Sequence, residues 1–134
     1  MKFKKYIFLV FLYNMANAKD IKLSDCSYDR LIQQDKVYWC LVDKYQQSTL
    51  ALKHEEVSAE KRLEGYDNEG DINIHLARTT FPELHRLFVL YREKQCQYSS
   101  LSLGTLPGYR LAIASLYCRI NMNISQTKWI KGFI

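Results

Sequence analysis

Four cysteines and three histidines are the side chains of this 134-residue sequence best suited to covalent or metal chemistry, and their spacing decides between those uses. Cys26, Cys40, Cys96 and Cys118 are separated by 13, 55 and 21 residues, so no CxxC pair exists. That spacing argues against a zinc ribbon and against a thioredoxin-type redox site. An even cysteine count in a small exported domain reads instead as a disulfide framework. Three pairings are open. Cys26–Cys40 with Cys96–Cys118 is preferred, because each bridge then closes a modest loop within one half of the chain. Loop-closure entropy makes each such bridge worth roughly 3 kcal/mol.

The remaining reactive residues do not assemble into a motif. His54-Glu55-Glu56 begins like a zinc-peptidase helix, but Ser58 stands where the second histidine would be, so the metal-binding i, i+4 pair is missing. His75 and His85 are isolated, and no metal ligand set is expected. There is no phosphate loop, no dinucleotide glycine pattern and no nucleophile elbow around any serine. Glu and Asp are plentiful enough for a glycosidase pair, yet nothing singles one out. The sequence therefore predicts a protein that is not an enzyme, with no catalytic residue and no cofactor. Asn123-Ile124-Ser125 matches a glycosylation acceptor, a short pattern that carries little weight alone. Ten tyrosines suit helix-face packing with the hydroxyl in water, or anchor positions on a binding surface.

The elements that must position these residues read as helices. Residues 1–18 have the build of a cleavable signal peptide: Lys2, Lys4 and Lys5, then the short apolar run Tyr6 to Tyr13, then Ala16-Asn17-Ala18. The run is about eight residues, far below the roughly 20 that span a bilayer, so no membrane anchor is expected. Lys19, Asp20 and Lys22 separate Cys26 from the apolar run, which argues against a lipoprotein. The whole chain carries +5, three units of which belong to Lys2, Lys4 and Lys5, so residues 19–134 keep +2. Their charges are spread along the chain, without the basic stripe a nucleic-acid partner requires. Residues 19–134 suit one domain, periplasmic or secreted.

Within that domain the periodicity predicts three helices. The first spans about Ser27 to Leu63, with Leu31, Tyr38, Tyr45, Leu52 and Ala59 at seven-residue intervals, Leu41, Val42 and Leu63 beside them, and Lys44, Lys53, Glu56, Glu60 and Lys61 on the solvent face. Gly65 is its expected stop, and Gly65 to Thr80 reads as a loop. Thr79 or Thr80 is expected to cap a second helix running to about Tyr98, with Pro82 in its first turn and Leu84, Leu87, Phe88, Tyr91 and Tyr98 as its apolar face. Ser99 to Gly108 reads as a loop. A third helix follows from about Tyr109 to Trp129, with Leu111, Ala114 or Ser115, Cys118 and Met122 inward. The expected fold is all-α, a small helical hairpin or bundle of about three helices stapled by two disulfides.

One stretch carries a family resemblance. Leu84 to Cys96, through Arg86, Phe88, Tyr91, Arg92, Glu93 and Cys96, resembles the hallmark of the LprI-type lysozyme-inhibitor family, a helix with Gln-Arg, an aromatic, then aromatic-Arg-Asp and a cysteine. His85 stands where Gln is usual and Phe88 where Trp is usual. The cysteine order, an early pair and then one cysteine on either side of a Gly-containing loop, is also similar to the family's. Asn123 and Gln126 stand where Thr and Arg usually follow the last cysteine. The resemblance implies a four-cysteine helical periplasmic protein that binds another protein, a lysozyme or another cell-wall hydrolase. On that reading a loop, Gly65–Asp71 or Ser99–Arg110, enters the enzyme's carboxylate-lined cleft. For Arg92, hydrogen bonding that fixes its helix against the loop before Cys118 is the expected role. A structural or accessory envelope protein, or an immunity factor for a delivered toxin, is the alternative.

Overall fold

The computed structural model describes residues 20–27, 33–67, 70, 72–104 and 108–133, and these form three long helices preceded by one short turn. A 3-10 turn covers Leu23–Cys26, and the helices are α1 (Gln34–Asp67), α2 (Ile72–Leu101) and α3 (Arg110–Phe133). Among the described residues there is no strand. Short connections send α2 back along α1, and α3 then runs parallel to α1, against which it packs most extensively. The signal-peptide segment 1–18, Leu31, and residues 105–107 of the expected second loop lie outside the described residues.

Both disulfides form as preferred, Cys26–Cys40 and Cys96–Cys118, with Cα atoms 5.6 and 5.4 Å apart. The first ties the 3-10 turn to the start of α1. The second ties the last turns of α2 to the first turns of α3. Both therefore lie toward the end where α1 and α3 begin, called here the bridged end. Disulfides persist in oxidising compartments outside the cytoplasm. None of the helices among the described residues is long and apolar enough to cross a membrane.

Two apolar clusters fill the interior. At the bridged end, Cys26, Val37, Leu41, Leu116 and Ile120 are buried together. At the opposite end, Leu52, Ala59, Leu63, Phe81 and Ile130 form the second cluster, with Phe88 packed against it. The heptad positions Leu52 and Ala59 of α1 are buried as expected, whereas Tyr38 and Tyr45 are half-buried.

Three sequence expectations need correction. Gly65 does not end the first helix, which continues to Asp67. A helical glycine costs only about 1 kcal/mol relative to alanine, and the left-handed conformation that accompanies the end of α1 is adopted by Gly70 (φ 73°). Second, α2 begins at Ile72, so Pro82 sits inside it. Thr79 and Thr80 do not cap: their hydroxyls donate back to the Leu76 carbonyl at 3.0 and 2.8 Å, within the helix they were expected to start. Third, the inward face of α2 is Phe81, Arg92, Cys96 and Ser100. Leu84, Leu87, Tyr91 and Tyr98, expected inside, are exposed, and of the expected set only Phe88 is half-buried.

Because each bridge closes a short loop, the double substitutions Cys26→Ser/Cys40→Ser and Cys96→Ser/Cys118→Ser are each expected to lower unfolding free energy by about 3 kcal/mol. In a domain of this size that is a fall of about 10–20 °C in the thermal midpoint. Thermal denaturation followed by circular dichroism measures it.

Candidate functional site

The hallmark stretch splits between two faces of α2. Arg92, at 7 % exposure, is the buried guanidinium at the centre of the bundle. Its Nη1 donates to Asn123 Oδ1 of α3 at 2.8 Å, while Nε and Nη2 donate to Glu93 Oε1 at 3.1 and 2.9 Å. Asn123, fully buried, donates through Nδ2 to Ser48 Oγ (3.0 Å) and Thr49 Oγ1 (3.3 Å) on α1. Both hydroxyls in turn donate to the Tyr45 carbonyl at 2.9 Å. Glu93 also accepts Arg119 Nη2 of α3 on its other oxygen at 2.8 Å. The Tyr45 and Phe88 rings flank the guanidinium, its carbon 5.8 and 5.9 Å from their centroids. One polar node thus joins all three helices, and it lies between the two apolar clusters.

This geometry corrects the expected partner of Arg92, which is Asn123, beyond Cys118, and not the loop before it. The Glu93 carboxylate reaches back along α2 and bridges two guanidinium groups, Arg92 and Arg119. Asn123 is enclosed and hydrogen-bonded, so the glycosylation match at Asn123-Ile124-Ser125 has no accessible amide in the folded chain. Arg86 and Tyr91 of the hallmark point outward. Arg86 holds Glu83 with two hydrogen bonds of 2.8 and 2.7 Å, and this contact keeps the Glu83 carboxyl below its usual pKa.

A second polar group lies on α1 toward the other end. His54 is exposed, while Glu55 and Glu56 are buried and point to different neighbours. Glu55 accepts Arg62 Nη2 at 2.9 Å and lies 4.0 Å from Lys131 of α3. Glu56 pairs with His85 Nδ1 of α2. Glu56 was expected on the solvent face; its type suggested exposure, but its angular position faces α2. Burial raises its pKa, opposed by His85 and Lys53 and reinforced slightly by Glu60. Among the described residues no three His, Cys, Asp or Glu side chains converge on a point where a metal ion would sit.

Two further features among the described residues are suited to recognition. At the bridged end Tyr38 stacks on Tyr109 of the α2–α3 connection, centroids 4.9 Å apart and planes 29° from parallel, and the Trp39 ring stands edge-on to Tyr38 at 5.1 Å. Trp39 is 63 % exposed and adjoins the disulfide at Cys40. At the far end an apolar cleft of about 430 Å³ runs between Leu63, Tyr66, Ile74, Phe81 and Trp129. Sequence reasoning named only the Ser99–Arg110 stretch that contains Tyr109, not its stack on Tyr38 nor the cleft. The Tyr38–Tyr109 stack depends on two helix starts meeting in space, and the cleft combines residues from all three helices.

The node makes a double-mutant cycle informative. Asn123→Leu strands a buried guanidinium nitrogen and is expected to cost about 2–3 kcal/mol, and Arg92→Met a similar amount. The double substitution should cost about 1–3 kcal/mol less than their sum, since neither partner is then orphaned; urea titrations of the four proteins measure it. Glu56 predicts a pH dependence of defined sign. Its raised pKa means that the folded state holds the proton more tightly than the unfolded chain. The resulting stabilisation is full below the ordinary carboxylate range and is lost as pH rises through the raised value. Glu56→Gln should lack this decline, which unfolding titrations across that window would detect. No family model, curated protein or solved structure matches the chain.

Proposed function

We propose that the chain is an exported, periplasmic protein-binding domain that inhibits a lysozyme or a related peptidoglycan-cleaving enzyme. The observation that carries this reading is the aromatic group in which exposed Trp39 and Tyr109 flank half-buried Tyr38, held at the end pinned by Cys26–Cys40. Aromatic side chains fixed in place lose little entropy on binding and are the commonest energetic anchors of protein interfaces. Lys36 lies one helical turn before Trp39, and Arg110 follows Tyr109 directly. These cations suit the paired carboxylates of a glycosidase cleft. The resemblance of Arg92, Glu93 and Cys96 to the LprI-type hallmark supports the same class of partner.

On this reading the hallmark residues act through the scaffold. Arg92 and Glu93 fix the bundle, and the contact surface is the aromatic group with the adjoining Lys36 and Arg110. Of the other candidate loop, Gly65–Asp71, the described residues lie at the far end from Trp39, and Gly65, Tyr66 and Asp67 belong to α1.

The test is inhibition of purified lysozymes and lytic enzymes by the oxidised protein at micromolar concentration. Inhibition is expected, and Trp39→Ala should raise the inhibition constant about 30-fold, the loss of roughly 2 kcal/mol at an anchor residue. A protein that neither binds nor inhibits any of these enzymes sinks the proposal. Capture of an unrelated envelope protein, lost in Trp39→Ala, would support the accessory or immunity reading in its place.

A further inference from the structure

The outer face of α2 carries a pattern that the bundle does not use. Leu76, Glu83, Leu87, Leu90, Lys94 and Leu101 follow one another at intervals of seven, four, three, four and seven residues. This is the heptad spacing that keeps side chains in one line along a helix packed against another helix. The line lies opposite the inward residues Phe81, Phe88, Arg92 and Cys96. Its four leucines are half exposed or more, at 54, 50, 51 and 63 % in chain order. Isolated exposed leucines are ordinary, but four in register along most of a 30-residue helix, about 45 Å long, with only Glu83 and Lys94 between them in the line, form a candidate contact surface.

The two charges in the line identify the occupant. Glu83, whose carboxylate also holds Arg86 of its own helix, and Lys94 are of opposite sign and stand symmetrically about the midpoint, between Phe88 and Val89. If a second copy is laid antiparallel about that midpoint, Glu83 of each copy meets Lys94 of the other. Leu87 then meets Leu90, and Leu76 meets Leu101. A two-fold interface must be self-complementary in this way. A parallel arrangement would set like charge on like charge at both positions.

We propose that the protein forms an antiparallel two-fold dimer through the outer face of α2, with its register set by reciprocal Glu83–Lys94 pairs. The surface is separate from the Tyr38–Trp39–Tyr109 group, so the dimer stands whether or not that group binds a lysozyme.

Sedimentation equilibrium of the oxidised protein through the micromolar range tests this. A dimer is expected. Glu83→Lys alone and Lys94→Glu alone each turn two attractive contacts repulsive and should weaken it about tenfold. An equimolar mixture of the two variants should regain the wild-type affinity as a heterodimer, because every introduced charge then faces its opposite. Leu87→Asp should abolish dimerisation. All three substituted positions are exposed, and unchanged helical circular dichroism separates lost association from lost folding. A monomer at every concentration overturns the proposal. So does a mixture that associates no better than either variant alone, or a dimer indifferent to Leu87→Asp.

Discussion

A guanidinium enclosed by three helices must have its nitrogens satisfied in place, and that demand organises this bundle. Arg92 is largely withdrawn from solvent, so Asn123 and Glu93 must hold their positions, and each is held in turn by other groups. Asn123 is fixed by Ser48 and Thr49 on α1, and its carbonyl accepts the Thr127 hydroxyl at 2.8 Å. Glu93 is fixed by Arg119. A shift of any helix by one residue would break several of these hydrogen bonds at once, whereas leucine against leucine tolerates small slides. The apolar clusters above and below supply the driving force for burial. The node between them sets the register of the three helices, a role for buried polar groups attested in helical assemblies.

The same geometry explains why parts of the fold were legible in the sequence and others not. Helix number and cysteine pairing follow from local information: apolar spacing along each helix, and two short loops that only one pairing closes within its own half of the chain. The faces of α2 were not local. Its inward side carries Arg92, Cys96 and Ser100, while leucines and tyrosines occupy the outside, so a rule that sends apolar residues inward picks the wrong face. Glu56 fails the same rule in the other direction, being a charged residue buried against His85. Asn123 looked like a modification site because a three-residue pattern contains nothing about burial. In each case side-chain type misled, and a partner distant in sequence decided the position.

The hallmark stretch shows the distinction for function. Arg92, Glu93 and Cys96 are its most specific residues, and the structure uses them for internal architecture. The exposed aromatics sit elsewhere, at Trp39, which no motif flagged, and at Tyr109, within the Ser99–Arg110 stretch. Residues that build a buried node fix helix register and carry no information about what meets the surface.

The stabilising interactions are also unevenly distributed along the bundle. Both disulfides cross-link the end where α1 and α3 begin, and the aromatic group stands at that end. The other end has no covalent link; Glu55 with Arg62 and Lys131, Glu56 with His85, and the second apolar cluster hold it together. Partly buried ion pairs add less than a bridge of this loop size, because desolvation offsets much of their attraction. Local opening should therefore begin at the end bearing the apolar cleft and leave the bridged end ordered longest. The Tyr38–Tyr109 stack, which joins two helix starts, thus stands at the more constrained end: Cys26–Cys40 fixes the 3-10 turn against α1, Cys96–Cys118 fixes α2 against α3, and Val37, Leu41, Leu116 and Ile120 hold α1 to α3.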